Sequence, residues 1–183
     1  MREPNLTSTT TVQDIYQAIR DVPDFPKPGI MFKDITPLLL DPGRFRRAVE
    51  LMAAPFGGAE VRRVVSIESR GFLLGAPIAL LLEAGLVPIR KPGKLPAARG
   101  RVEYALEYGT DALEMHRDAV GPGDGVLIVD DVLATGGTAE AAAKLVRAHG
   151  AHVVGFTFLI ELDFLKGRER LRNERLEALL HYA

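Results

Sequence analysis

Residues 126–138 read VLIVDDVLATGGT, and the fold is decided here. Val126, Leu127, Ile128 and Val129 form a continuous apolar run set off by GPGDG at residues 121–125, the pattern of a central parallel strand buried on both faces. Asp130 and Asp131 then fall at the carboxyl end of that strand. From Thr138 the sequence TAEAAAKLVRAHG is rich in helix formers and closes at Gly150, a plausible glycine C-cap. A strand, a small-residue loop and a helix in succession put the loop where open α/β sheets bind ligands.

Gly136 and Gly137 let the backbone approach an anion, and the following helix N-terminus offers free N–H groups with a partial positive charge. The stretch therefore reads as a phosphate cradle. The alternative is a plain polar turn in which Asp131 or Thr138 caps the helix. Two adjacent carboxylates do not suit a pure phosphate site. They suit a ligand with hydroxyls, a magnesium ion or a developing positive charge, and a sugar phosphate offers all three.

The whole chain limits the classes available. Its 183 residues suit one domain with a full core, and 47% hydrophobic with 26% charged residues are ordinary values. A net charge of -1 gives no global basic field, so nucleic acid is not an expected partner. The absence of cysteine removes disulfides and thiolate chemistry. His116, His149, His152 and His181 show no convincing ligand spacing. The start, MREPNLTSTT, has no basic region followed by an apolar one, and no apolar run approaches the roughly 20 residues of a membrane span. A cytoplasmic protein without membrane partners is expected.

In chain order, residues 1–11 are polar and expected to be disordered. Val12, Ile15, Tyr16, Ile19 and Val22 keep helical spacing up to Pro23. DFPKPGIMFKDITPLLLDP reads as an ordered, extended flap, so residues 12–40 form a helix plus flap. Asp41 and Pro42 open a helix whose Phe45, Val49, Met52 and Phe56 face the core. Residues 64–67 form a strand that delivers Glu68, Ser69, Arg70 and Gly71, and an apolar helix over 72–84 follows, ended by Gly85. Residues 86–89 form the next strand. RKPGKLPAARGR then concentrates Arg90, Lys91, Lys94, Arg99 and Arg101, either an anion-binding loop or a solvated basic one.

VEYALEY, a GT turn and DALEMH alternate as a β-hairpin, placed within a mobile loop over 96–118. Residues 152–160 form a further strand, LDFLKGRERLRNE a polar turn and short helix, and LEALLHYA a final edge strand. The expected fold is a doubly wound α/β core with a mainly parallel five-stranded sheet and flanking helices. A small N-terminal flap and a mobile hairpin complete it.

With these residues laid out, the chain resembles the type I phosphoribosyltransferases, most closely the adenine phosphoribosyltransferase family. The signature for phosphoribosyl diphosphate stands at Ile128 to Thr138. FPKPGIMFKDITPLL, ESRGFLLGAP, RKPGKLP, LEYGTDALEMH and ELDFLKGRERL follow the family's segments in order, from Asp21 to about Leu171. One motif would name a superfamily; the set points to a branch. The resemblance implies a single phosphoribosyltransferase domain over 1–183 that acts in purine salvage. It transfers the phosphoribosyl group to N9 of adenine, giving AMP and diphosphate, with Mg2+ carried by the sugar substrate, and works as a homodimer.

Carried over position by position, Ala134, Thr135, Gly136, Gly137 and Thr138 would bind the 5-phosphate, and Asp130 and Asp131 the ribose hydroxyls. Those two carboxylates would also stabilise an oxocarbenium-like ribose. Ser69, Arg70 and Gly71, with Arg90, Lys91 and Lys94, would hold diphosphate. Met31, Phe32 and Leu162 would take the purine. Glu107 would manage its proton, with Tyr108 beside it on the mobile loop. The resemblance implies no direct protein ligand for the magnesium.

The chain departs from the family in carrying AARGRVE where threonine and serine are common, and Lys33 where arginine is common. The competing readings are a transferase for hypoxanthine, guanine or xanthine, and a non-catalytic sensor of phosphoribosyl diphosphate. A 6-oxopurine site wants a donor, often a lysine, and none is evident in that role near Leu162. A regulator needs a nucleic-acid-binding domain or basic surface for which the chain has no room.

Overall fold

In the computed structural model, which describes residues 10–105 and 110–183, a five-stranded parallel sheet organises the larger of two units. The larger unit runs from Met52 to Ala183 and the smaller ends at Leu51. In chain order the sheet contains β3 (Arg63–Ile67), β4 (Gly85–Ile89), β7 (Gly125–Leu133), β8 (His152–Leu162) and β9 (Leu176–Tyr182), arranged β4-β3-β7-β8-β9. All four pairings are parallel. The apolar runs explain the order. Val64, Val65, Leu127, Ile128, Val129, Phe156 and Phe158 are buried, and residues apolar on both faces belong in the middle of a covered sheet. Pro88, which has no N–H for the ladder, is accommodated because β4 is an edge strand.

α4 (Gly71–Leu81) follows β3, and α5 (Gly137–Ala148) follows β7. Each is entered by a short loop at the carboxyl end of its strand, and these two strands are neighbours. α5 buries Ala139, Ala142, Ala143, Leu145 and Val146. Gly150, with φ of 83°, follows its last turn in the left-handed conformation, as the glycine predicts.

The hairpin consists of β5 (Arg99–Ala105) and β6 (Thr110–His116), antiparallel with Val102 opposite Leu113 and Tyr104 opposite Asp111. Leu113 and Met115 are fully buried in the same core cluster as Leu145 and Val146 of α5, with Val102 and Tyr104 packed against it. The inner face of the hairpin therefore belongs to the core of this unit. Glu107 and Tyr108 lie outside the described residues.

In the smaller unit, α1 (Val12–Gln17) begins at a capping box: Asp14 N–H donates to Thr11 Oγ1 at 3.2 Å and Thr11 N–H to Asp14 Oδ2 at 2.7 Å. β1 (Arg20–Val22) pairs antiparallel with β2 (Phe32–Asp34). α2 (Thr36–Leu40) and α3 (Pro42–Ala53) follow, and Asp41 Oδ1 caps α3, accepting from the N–H groups of Gly43 and Arg44.

The elements differ from the expectations in five places, the first being that the flap, expected to be extended, holds the helix α2 at Thr36–Leu40. The first helix stops at Gln17 instead of reaching Val22, because Arg20–Val22 is taken into the ribbon by ion pairs between Arg20 and Asp34 and between Lys33 and Asp21. α4 closes at Leu81, where a turn with Glu83 at φ 53° intervenes, and Gly85 opens β4 instead of capping a helix. β7 runs past both aspartates to Leu133 because the longer β8 offers partners as far as Glu161. Two 3-10 turns, Asp163–Leu165 and Gly167–Leu171, replace the short helix after β8.

Candidate active site

The loops after β3 and β7 open onto a cavity of about 400 Å³ that collects Ser69, Arg70, Lys91, Asp130, Asp131, Ala134 and Thr138, with Glu68. A contiguous recess of about 70 Å³ is lined by Ala134 to Thr138, with Asp130 at its border. Residues 60 or more positions apart in sequence are therefore brought together as the two strand-loop-helix units predict.

The recess is shaped by backbone. Gly136 stands at the N-cap of α5 with φ of 80°, and no side chain caps that helix, so neither Asp131 nor Thr138 serves as cap. A Cβ at Gly136 would lie 2.5 Å from the carbonyl oxygen of Gly167. Both the conformation and the space demand glycine there. The result is a helix N-terminus with first-turn N–H groups open to a ligand, which suits a phosphate.

The two acids differ. Asp130 Oδ1 accepts a hydrogen bond from the Asp131 N–H at 2.9 Å. Burial, reinforced by the neighbouring Asp131 charge, pushes the Asp130 carboxyl well above the ordinary carboxylate range. Asp131 is also raised by burial, but the Arg70 guanidinium, whose Nε lies 2.7 Å from Oδ2, opposes the rise. Gly71 lets α4 come close, since a Cβ there would be 2.8 Å from Asp130 Oδ1. Two adjacent carboxylates, one half-buried and one buried, that resist ionisation are an expensive arrangement, and such arrangements cluster at functional sites.

The cations of the basic loop are partly exposed but paired. Glu68, its side chain only 11% exposed, accepts from Arg90 Nε at 3.0 Å, from the Lys91 N–H at 2.9 Å and from Lys94 Nζ. Burial alone would raise the Glu68 carboxyl; the hydrogen bonds from Lys94, Lys91 and Arg90 outweigh it and bring its pKa down to about 2. Glu114, buried on β6, accepts from the Gly93 N–H at 3.0 Å and lies 3.0 Å from Arg99 Nε. Lys91 Nζ reaches Asp111 and Tyr104 on the hairpin. The peptide between Glu68 and Ser69 is cis.

The structure brings Ser69, Arg70, Gly71, Lys91, Asp130, Asp131 and residues 134–138 to the two cavities or their walls. Arg90 and Lys94 are gathered behind them by Glu68. Leu162, half-buried, ends β8. In the smaller unit Phe32 is half-buried with its ring edge-on to Phe25 at 5.1 Å, and Met31 is 49% exposed. Sequence reasoning missed Glu68, Asp111, Tyr104 and Glu114 as parts of the site. A signal existed for Glu68, since a carboxylate at a strand end beside a loop of cations is a natural counterion.

Away from the cavity, Glu161, Asp163 and His181 gather ligand atoms within 4.8 Å. Arg168 already donates to both Glu161 oxygens, at 3.1 and 2.6 Å, so that charge is compensated. Among the described residues no helix is long and apolar enough to cross a membrane.

A parallel sheet carrying an uncapped helix N-terminus at a glycine-built recess, with Asp130 at its border and a cavity beside it lined by Arg70, Lys91 and Asp131, is the arrangement of a phosphoribosyltransferase. The phosphoribosyl transferase domain model matches residues 46–176, and the chain belongs to that family. The branch follows from its relatives. The adenine phosphoribosyltransferase of Myxococcus xanthus is 60% identical over 98% of this chain and 97% of its own length. The crystal structure of adenine phosphoribosyltransferase from Thermoanaerobacter pseudethanolicus superposes with a TM-score of 0.92 at 50% identity, covering 94% of this chain and all of that one. The Saccharomyces cerevisiae enzyme, solved with adenine and an imino-altritol bisphosphate, gives a TM-score of 0.87 at 40% identity over 92% of this chain and 98% of that one. Within the family the chain stands with the adenine phosphoribosyltransferases, whose reaction forms AMP and diphosphate from adenine and phosphoribosyl diphosphate.

Proposed function

We propose that this chain carries out that transfer with the residues gathered at the two cavities. The observation that carries the assignment is the uncapped N-terminus of α5 with Asp130 at the border of its recess and Asp131 in the adjoining cavity. The 5-phosphate sits in the 134–138 recess, held by backbone N–H groups and the hydroxyls of Thr135 and Thr138. The ribose hydroxyls face Asp130 and Asp131. Ser69, Arg70 and Gly71 take the diphosphate, with Lys91 at the cavity wall and Arg90 and Lys94 behind it.

Attack by N9 of adenine on C1′ forms the glycosidic bond while the bond from C1′ to the diphosphate oxygen breaks. Diphosphate leaves with the electron pair, and its growing charge is met by the cations of the cavity. The ribose becomes positive in the transition state and Asp130 and Asp131 stabilise it, an effect worth about 3–4 kcal/mol per well-placed group. The N9 proton passes to the carboxylate of Glu107, with Tyr108 next to it in sequence. By the family resemblance, Met31, Phe32 and Leu162 are the residues assigned to adenine.

Magnesium fits this donor set in kind, since the acids of the cavity are hard oxygen ligands; carried by the sugar substrate, it would meet Asp130 and Asp131 there. When bound it neutralises the diphosphate. The working unit is a homodimer: α4 is apolar on every side, and Leu73, Leu80 and Leu81, with Leu86 of β4, are 44–81% exposed, a patch that a second copy would cover. Purine salvage in the cytoplasm is the setting this activity fits. Incubation with phosphoribosyl diphosphate, magnesium and adenine, hypoxanthine or guanine tests the assignment. AMP formation from adenine is expected, and product from only the 6-oxopurines would overturn it.

A further inference from the structure

The strands of the hairpin meet the cation loop at one polar cluster. Tyr104 on β5 and Asp111 on β6 are directly opposite each other, so their side chains share the inner face whose other members, Val102, Leu113 and Met115, pack in the core cluster with α5. At the end of that apolar face, Lys91 Nζ is ion-paired with Asp111 and lies 3.3 Å from the Tyr104 hydroxyl. The Tyr104 hydroxyl donates to Asp111 Oδ2 at 3.2 Å and accepts from Thr138 Oγ1, in the first turn of α5, at 3.4 Å. Lys91 and Thr138 both line the 400 Å³ cavity.

We propose that Asp111 and Tyr104 are positioning residues that fix the Lys91 ammonium at the cavity wall for diphosphate. An ammonium has three N–H donors; Asp111 and Tyr104 take two, leaving one for a ligand. The lysine stem has up to four rotatable bonds, and its free rotation opposes binding unless something else has already restricted it. The packed face beneath the pair provides that restriction: the hairpin cannot slide by one residue without turning Val102 and Leu113 out of the core. Burial would lower the Lys91 pKa, but the hydrogen bonds its ammonium donates to Asp111 and Tyr104 outweigh that and raise it. This inference rests on the reading of Lys91 as a diphosphate contact.

The test measures inhibition by diphosphate, and KM for phosphoribosyl diphosphate and for adenine, in the full-length protein and in Lys91→Met, Asp111→Asn, Asp111→Glu and Tyr104→Phe. Asp111→Asn and Tyr104→Phe are expected to raise the diphosphate inhibition constant about tenfold, equivalent to 1.4 kcal/mol. KM for phosphoribosyl diphosphate should rise with it and KM for adenine stay unchanged. Asp111→Glu should recover most of the loss. Adding Asp111→Asn to Lys91→Met should cost nothing further, because the two act through one ammonium. A diphosphate constant within twofold of the parent, or lower, in Asp111→Asn while Lys91→Met raises it would overturn the inference alone. An unchanged constant in Lys91→Met would overturn it together with the assignment of Lys91.

Discussion

Replacing Asp130 with asparagine should make the protein more stable and nearly inactive. The side chain is half-buried at the cavity border beside a second, buried carboxylate, and its proton is held more tightly in the folded state than in the unfolded chain. Where the folded state binds more protons, stability falls as pH rises. Below the ordinary aspartate pKa both states are protonated and the group costs nothing. Between that value and the raised one the cost grows, and above it the full cost is present, at about 1.4 kcal/mol for each unit by which the pKa is raised. Asparagine keeps the shape and an oxygen able to accept from the Asp131 N–H, and it carries no charge, so the cost disappears.

For a chain of this size each kcal/mol regained raises the melting temperature by about 2–4 °C. The assay is a pair of thermal melts, parent and Asp130→Asn, at intervals from pH 4 to pH 8. The difference between them isolates this group from every other that titrates. It should be near zero at the acid end and grow in favour of the variant toward neutrality. Turnover should fall by about 10²- to 10³-fold, the loss typical of one electrostatic stabiliser of the transition state, with KM for phosphoribosyl diphosphate changed far less. A melting difference independent of pH would refute the account of the Asp130 proton. Undiminished turnover would refute its role at the ribose.

Glu68 has the opposite sign. Its folded pKa of about 2 lies below the ordinary value, so its contribution is present above pH 4.5 or so and is lost as pH falls toward 2. About 3 kcal/mol corresponds to that shift, discounted to about 1–2 kcal/mol because the cations are partly in water; Glu68→Gln should unfold less steeply with acid, and an unchanged acid limb in melts would contradict this. Phe32→Ala should raise KM for adenine by the equivalent of about 1–3 kcal/mol from lost burial and stacking, and an unaltered KM would move purine recognition elsewhere. Glu107→Gln should slow the chemical step in single-turnover measurements while leaving substrate affinity near the parent's; full activity would show that the carboxylate takes no proton.

The parallel core was legible because it is written in continuous apolar runs. Val126 to Val129 and Val64 to Ile67 could only be inner strands, and the small residues after each could only be loops at the carboxyl ends. The recess was legible for the same reason, since backbone N–H groups need only Gly136 and Gly137 to present them. Element ends were not, because they depend on partners: β7 continues through Asp130 and Asp131 only because β8 is long enough to pair with it. Ile19 and Val22 keep helical spacing, yet the strand at residues 32–34 claims Arg20–Val22. The counterions Asp111 and Glu114 were hidden too, because ion pairs across 15 or more residues leave no periodic trace in the chain; Glu68 left only its place at a strand end beside the cations.

Those counterions explain how an almost neutral protein holds a polyanion. Arg70 lies against Asp131, Arg90 and Lys94 against Glu68, Lys91 against Asp111, and Arg99 against Glu114. The cations are thus gathered without mutual repulsion, which is why the formal charge of the chain, -1, conceals them. A ligand phosphate must compete with carboxylates already in place, and a single phosphate gains little from exchanging one partially screened ion pair for another. On the proposed assignment, a molecule with a diphosphate at one end and a phosphate at the other would engage the larger cavity and the α5 recess together, and its second contact would be intramolecular, without the entropic cost of a separate association. Preference for the activated sugar over free phosphate is the outcome that assignment predicts, and equal inhibition by free phosphate and by diphosphate in a competition assay would contradict it.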